Sequence, residues 1–376
     1  MSRVQSAGAA TPIDPSVQAP ETPAVEAAHS RRFEPNDPDR FELDGLQPRT
    51  SPGRAGETSV ETGHLTFHGG KVLRSPDVVP VYVGAYWQTL QGKRDRARND
   101  AAMAALVRDP GQTGLWKEYG GGPGTTSPSR VLASVSRRDF SKEEVEALLQ
   151  AQVRSGALDA SDPERIFTLV LPPGVTLHDG EASSEAGLGG FHGNVTGRDG
   201  HPVYYAVVVY SQRTGSRVNG IDFTGTPIDN VTITESHEVT EAVTDPDVGL
   251  AIQTGNPRYL GWYDDTTPVR RRDGTAVLDG TGRPMRGKGE IGDIPVLNAE
   301  LEGDSALKTV WGRRGGFAFQ TEWSNDDGRA ELAPSAGARA SAPGDAHHAV
   351  GAPVLAAHAV MHEEEAAGVV LPLDGP

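Results

Sequence analysis

The sequence predicts one domain of α/β or α+β class with a mixed sheet, flanked by disordered ends. Three observations point that way. The run Val203 to Tyr210 is continuous, apolar and rich in β-branched and aromatic residues, as a buried strand is. Ser141 with Glu144 three residues on forms a capping box, the start of a helix. All five Trp and all eight Tyr lie between Gly63 and Leu332, while both ends are rich in Ala, Pro and other small or polar residues.

Residues 1–60 read as a disordered leader, because their few apolar side chains never recur at a helical or strand period. Within the leader, Arg31 to Leu46 carries Phe33, Phe41 and Leu43 among acids, so it is either a solvated linker or a segment that docks on the folded body. The body spans residues 61–332. Val78 to Tyr86 is β-branched and aromatic but interrupted by Pro80 and Gly84, which predicts a strand near an edge or entry point. Asp95 to Arg108 follows as a helix with a basic face. The capping box starts a helix from Lys142 to about Val153 that stops near Gly156. Ile166 to Leu171 is a short buried strand halted by Pro172-Pro173, and Val203 to Tyr210 is the strongest strand of all.

Pro227 to Thr244 is a helix that Asp245-Pro246 should end, since a residue before proline is pushed out of the helical region. From Gly249 to Gly292 glycine and charge dominate, and a long irregular segment is expected. Leu307 to Trp311 and Phe317 to Trp323 close the body as strands. Residues 333–376 form an Ala, Gly, Pro and His tail, disordered apart from a short helix near Val354 to Ala367; His347, His348, His358 and His362 sit in it without a scaffold.

Composition narrows the chemistry. Thirty-five basic and fifty-one acidic residues give a net charge of −16, a field that repels nucleic acid and anionic membranes. The longest apolar run, Val203 to Tyr210, falls far short of the roughly 18 residues a bilayer crossing needs. No ordinary export signal opens the chain, so a cytoplasmic location, or export without such a signal, is expected. With no cysteine there can be no disulfide, no thiolate zinc cluster and no cysteine nucleophile, and any metal must be held by His, Asp and Glu.

The chemistry-bearing pattern is Ser236-His237-Glu238-Val239-Thr240-Glu241, an H-E-x-x-E one substitution away from the H-E-x-x-H of zincin active-site helices. Residues four apart stack on one helical face, so His237 and Glu241 can reach a single cation with Glu238 beside it. Zn²⁺ accepts imidazole nitrogen and carboxylate oxygen at similar distances, and the exchange of His for Glu is tolerable. The competing reading is a solvated acidic helix face. A catalytic zinc needs a third protein ligand, for which Asp245, Asp247 and Glu290 compete. Glu290 is favoured because Glu290-Ile291-Gly292-Asp293 offers two acids on a compact scaffold, while Asp245 reads as a helix terminator that orients His237 from behind. His192, between glycines, is a ligand, a substrate contact or a turn residue. Tyr263 in Gly261-Trp262-Tyr263-Asp264 is an oxyanion donor or a core aromatic.

Taken in order, Phe191-His192-Gly193, Tyr204 to Val208, Ser236 to Pro246, Gly261-Trp262-Tyr263, Glu290 to Asp293 and Trp323-Ser324-Asn325 resemble bacterial metallopeptidases related to the plant phosphate-induced, EXORDIUM-like proteins, over about residues 75 to 330. The resemblance implies a metal near the His-Glu pair, Glu241 and the Glu290–Asp293 element. Plant members lack the His-Glu helix, so the resemblance does not by itself imply catalysis. This chain departs from relatives by having Pro295 and no cysteine after that element.

The expectation is therefore a zincin-like peptidase that hydrolyses protein or peptide substrates. In it His237, Glu241 and Glu290 hold Zn²⁺, Glu238 is the general base, and the Val203 to Tyr210 strand takes an extended substrate by strand addition if it lies at an edge. The rivals are a non-catalytic module in which the same acids hold Ca²⁺ or no ion, and a cargo or accessory of a secretion machine.

Overall fold

The computed structural model describes residues 63–271, 274–279, 282–302 and 310–332. The leader with its Arg31–Leu46 segment, the tail with His347, His348, His358 and His362, and the first part of the expected strand at 307–311 lie outside the described residues.

The fold is mixed α/β. Its main sheet is built from β1 (Asp77–Val83), β2 (Thr125–Thr126), β3 (Arg130–Leu132), β4 (Arg165–Val170), β5 (Gly190–Thr196) and β6 (Pro202–Val208). Their order is β2-β1-β4-β6-β5, with β3 also pairing β1. All pairings are parallel except that of β5, which runs antiparallel to β6 at the free edge. Among the described residues there are six α-helices: α1 (Leu90–Leu106), α2 (Pro110–Glu118), α3 (Lys142–Ser155), α4 (Pro227–Thr244), α5 (Val248–Thr254) and α6 (Asp293–Glu302). None is long and apolar enough to cross a membrane.

Period-two alternation sorts the strand side chains into two cores. Val79, Val81, Phe167, Leu169, Tyr205 and Val207 face α3, which contributes Val145, Leu149 and Val153. Val78, Ile166 and Tyr204 face the other way, onto Ala102, Met103 and Leu106 of α1, Trp116 of α2 and Val239, Ala242 and Val243 of α4. The sheet is thus covered on both faces, which is why its strands read as nearly continuous apolar runs.

The strand expected near an edge lies next to one, and the condition for strand addition on Val203 to Tyr210 is not met. β1 is interior, flanked by β4 on one side and by β2 and β3 on the other. Pro80 is tolerated there because β2 pairs with Asp77 and Val78 and β3 with Val81 to Val83, leaving Pro80 in the interval where that side asks no amide of it. β6 lies between β4 and β5, so strand addition on the Val203–Tyr210 run is blocked by pairs already made.

The helices follow local signals where these exist. Ser141 caps α3 with the reciprocal Glu144 bond, and Gly156 ends it at φ 78°. α1 begins five residues before the expected Asp95, because Thr89 Oγ1 accepts the Gly92 amide at 3.0 Å. α2 was not foreseen, although Asp109 caps it and Pro110 occupies its first turn. α5 and α6 break the segment expected to be irregular from Gly249 to Gly292 and the stretch beyond it. Between them the chain returns on itself through isolated bridges, Asp264 with Gly289 and Pro268 with Arg286.

α4 is the central element. Every residue from Ile228 to Thr244 is buried except His237, so the reading of a solvated acidic face is overturned. Thr244 is its last residue and Asp245 leaves helical space at φ −147°, ψ 63°, as the following proline requires. On its sheet side, Glu235 accepts hydrogen bonds from Asn99 Nδ2 at 2.7 Å and from Thr168 Oγ1. Burial pushes this carboxyl up to about 7, with the charge of Asp100 adding to the rise. A carboxyl raised in the folded state contributes its full stability below the unfolded value of 4.5 and loses it as pH rises through about 7. For the chelator-treated protein, the stability difference between wild type and Glu235→Gln is expected to change by on the order of 3 kcal/mol from about pH 4.5 to 8, the variant gaining relative to wild type. Urea midpoints across that range check this, and parallel curves for the two proteins would assign the pH dependence to other groups.

Candidate metal centre

Three segments converge on the turn of α4 that holds the partly exposed His237. From α4 itself come His237, Glu238 and Glu241. β5 supplies His192, whose Cα partner is Ala206 of β6; both lie on the α4 face of the sheet. The Glu290–Asp293 turn supplies Glu290 and Asp293. That turn is anchored by Ile291, which packs with Leu65, Leu115, Tyr119 and Trp323, and by the Trp323 amide donating to Ile291 O at 3.0 Å. The Asp293 carboxylate accepts the Glu290 amide at 3.0 Å and starts α6.

Glu241 is the hub. Its Oε1 lies 3.2 Å from His237 Nε2, and its Oε2 lies 3.4 Å from His192 Nδ1. Glu238 sits beside it, with Oε2 3.5 Å from His192 Nδ1 and Oε1 4.0 Å from His237 Nε2. Glu290 Oε1 is 3.5 Å from His192 Nε2, and Asp293 Oδ1 is 3.9 Å from His237 Nε2. Two sets therefore offer donor atoms within 4.8 Å of one another: His237 with Glu238 and Glu241, and His192 with Glu241 and Glu290. The expected trio is brought into one cluster, but Glu290 pairs with His192, and the acid of its segment that approaches His237 is Asp293.

The remaining candidates divide. Asp245 lies behind the cluster, its main-chain oxygen 3.2 Å from His192 Nε2 and its Oδ1 accepting the Gly261 amide at 2.7 Å. It touches the other imidazole, not the His237 it was expected to orient. Asp247 turns away, accepting from Asn194 Nδ2 at 3.0 Å and lying near Lys71 and Tyr204. Tyr263 is a core aromatic packed with Val248, Ala251 and Leu260, its phenol in the field of Asp293, Glu290 and Asp245.

Two residues were missed. Glu322 is fully buried, neither of its oxygens has a hydrogen-bond partner, and it faces the charge of His237. Gln320 Nε2 lies 2.8 Å from both His237 Nδ1 and Gly292 O, and its amide nitrogen donates to Ser236 Oγ at 2.9 Å, which docks the Phe317–Gln320 strand along α4. The only trace of either in sequence is polar residues alternating within an otherwise apolar closing strand. Glycine is required next to them: a Cβ on Gly292 would lie 2.5 Å from His237 Nδ1 and 2.9 Å from Glu241 Oε1, with nowhere to move.

The electrostatics are those of acids crowded out of water. Burial drives the carboxyls of Glu290, Asp245 and Glu322 well above their ordinary range and raises that of Glu238. Glu241 is the exception: burial opposes its ionisation, but the charges of His237 and His192 outweigh it and hold the carboxyl low. Both imidazoles are pushed well above their usual value, burial opposing and the surrounding carboxylates prevailing.

The donor set fits a divalent cation. Glu241 Oε1, both oxygens of Glu290 and Asp245 Oδ2 are buried without hydrogen-bond partners, and no Lys or Arg among the described residues pairs with Glu238, Glu241, Asp245, Glu290 or Glu322. Buried charge without a partner is costly unless metal or protons neutralise it. Imidazole nitrogen and carboxylate oxygen are zinc ligands, whereas calcium prefers oxygen alone. No protein-family profile matches the chain, and comparisons with curated proteins and with solved structures find no match.

Proposed function

We propose that the chain is a zinc-dependent peptidase with a zincin-like domain, in which His237, Glu241 and the Glu290–Asp293 turn hold Zn²⁺ and Glu238 is the general base. The observation that carries this reading is the convergence of two imidazoles and several unpartnered carboxylates on one helix whose turns after Pro227 open to solvent only at His237, whose side chain is 15 % exposed. The sequence resemblance to metallopeptidases points the same way.

Bound zinc would supply Lewis acidity toward a scissile carbonyl and lower the pKa of water to about 7. Glu238 lies beside Glu241 with its carboxyl raised by burial, and a carboxylate so placed can take a proton from water and return it to a leaving amine. Tyr263 keeps its proton, because burial and the charges of Asp293 and Glu290 hold its pKa well above the ordinary phenol value. It is thus in the donor state that stabilising an oxyanion requires. Gln320 holds the His237 ring at Nδ1, which leaves Nε2 to face Glu241, and Gly292 packs against the ring beside them.

A second reading is favoured by one feature: the side chains of His192, Glu241 and Glu290 are no more than 1 % exposed, as in a closed structural site that holds a cation without catalysis. The two are separated by incubating the full-length protein with a mixture of fluorescence-quenched peptides. The peptidase reading expects cleavage that stops on chelation and returns with Zn²⁺. A protein that carries zinc and cleaves nothing in the mixture would establish the structural site instead.

A further inference from the structure

We propose that the cluster takes two divalent cations side by side, bridged by Glu241, the inner one held by His192 and Glu290 and the outer one by His237 and Asp293. This rests on the reading of His237 and Glu241 as cation ligands.

The hub carboxylate is already divided: Oε1 faces His237 at 3.2 Å and Oε2 faces His192 at 3.4 Å, so each oxygen belongs to a different imidazole. The tautomer of His192 follows from its other nitrogen. Nε2 lies 3.2 Å from the main-chain oxygen of Asp245, which can only accept, so Nε2 carries the proton. In the neutral ring that a metal requires, Nδ1 then turns its lone pair toward Glu238 Oε2 at 3.5 Å and Glu241 Oε2 at 3.4 Å. Acceptors facing one another in a buried space call for a cation between them. A ligating imidazole whose other N–H is spent on a backbone carbonyl is the usual arrangement around a metal. Glu290, whose Oε1 lies 3.5 Å from Nε2, is fully buried with neither oxygen hydrogen-bonded, and one oxygen each of Glu290 and Glu241 and a ring nitrogen of His192 lie within 4.8 Å of one another.

The two positions differ in access. His192, Glu241 and Glu290 are sealed, while His237 and Asp293 retain 15 % and 10 % side-chain exposure. The inner cation is therefore the structural member, fixing Glu241 and Glu290, and the outer one is the member that meets solvent and substrate.

The test uses the full-length protein, stripped with a chelator and then equilibrated with Mn²⁺, with metal counted by atomic spectroscopy and the EPR spectrum recorded at low temperature. Two Mn²⁺ per chain with the exchange coupling of a carboxylate-bridged pair are expected. His192→Asn and Glu290→Gln should each lower the content from two equivalents to one and abolish the coupling. The near-isosteric Glu290→Gln keeps the test decisive if the His192 variant does not fold. A single uncoupled equivalent in the wild type overturns the pair and leaves His192 as an imidazolium in place of the inner cation. Two uncoupled equivalents overturn the bridging role of Glu241. Peptide cleavage is read separately: a coupled pair without cleavage removes the peptidase reading and leaves the pair standing, while cleavage with one cation does the reverse.

Discussion

Glu238→Gln is expected to keep its metal and to lose peptide hydrolysis by about 10²- to 10⁴-fold, the range a positioned general base contributes. The substitution is nearly isosteric, and space around the side chain is tight: a Cβ on Gly190 of β5 would come within 3.1 Å of Glu238 Oε1. A glutamine preserves that packing and changes only the ability to take a proton. His237 and Glu241 meet each other at 3.2 Å without help from position 238, so the cation should stay. Metal content and peptide turnover of the same preparation decide the matter. If metal departs along with activity, Glu238 is itself a ligand, as its place beside His237 and Glu241 permits.

The helix that carries this chemistry was legible because its signals are local. Four-residue spacing puts His237 and Glu241 on one face whatever the rest of the fold does. Asp245-Pro246 ends the helix for a reason confined to two residues, and the same holds for the capping box of Ser141 and Glu144. What could not be read was which distant groups face that helix. His192 reaches it only because the antiparallel register pairs it with Ala206 on the α4 side of β5; a slip of one residue would have sent it toward α3 with Phe191. Glu290 and Asp293 stood out as acids near a glycine, but their assignment to different imidazoles depends on how Ile291 and Trp323 anchor the turn. Glu322 looked like an ordinary polar residue of a closing strand. Pro80 marks β1 as lying near an edge, which it does, but propensity does not encode the two short partner strands that cover that side and leave Pro80 the interval between them.

The choice between third ligands gives the other large effect. Glu290→Ala is expected to cost the protein at least one equivalent of metal, and Asp247→Ala none. Asp247 follows α4 closely in sequence, yet its carboxylate is engaged by Asn194 at 3.0 Å and lies near Lys71 and Tyr204. Glu290 is fully buried, has no hydrogen bond to either oxygen, and stands 3.5 Å from His192 Nε2. Such a carboxylate has nothing to do in the folded protein except meet a cation or hold a proton, and burial drives it well above the ordinary carboxyl range. Replacing it with alanine removes that acid without touching the anchors of its turn, since Ile291 remains in its apolar cluster and Asp293 can still accept the amide of residue 290. Loss of metal should therefore come without loss of fold, which circular dichroism of the same samples can verify. Metal retained by Glu290→Ala and lost by Asp247→Ala would move the third ligand to the residue after the helix, and would mean that the Asn194 contact opens when a cation arrives.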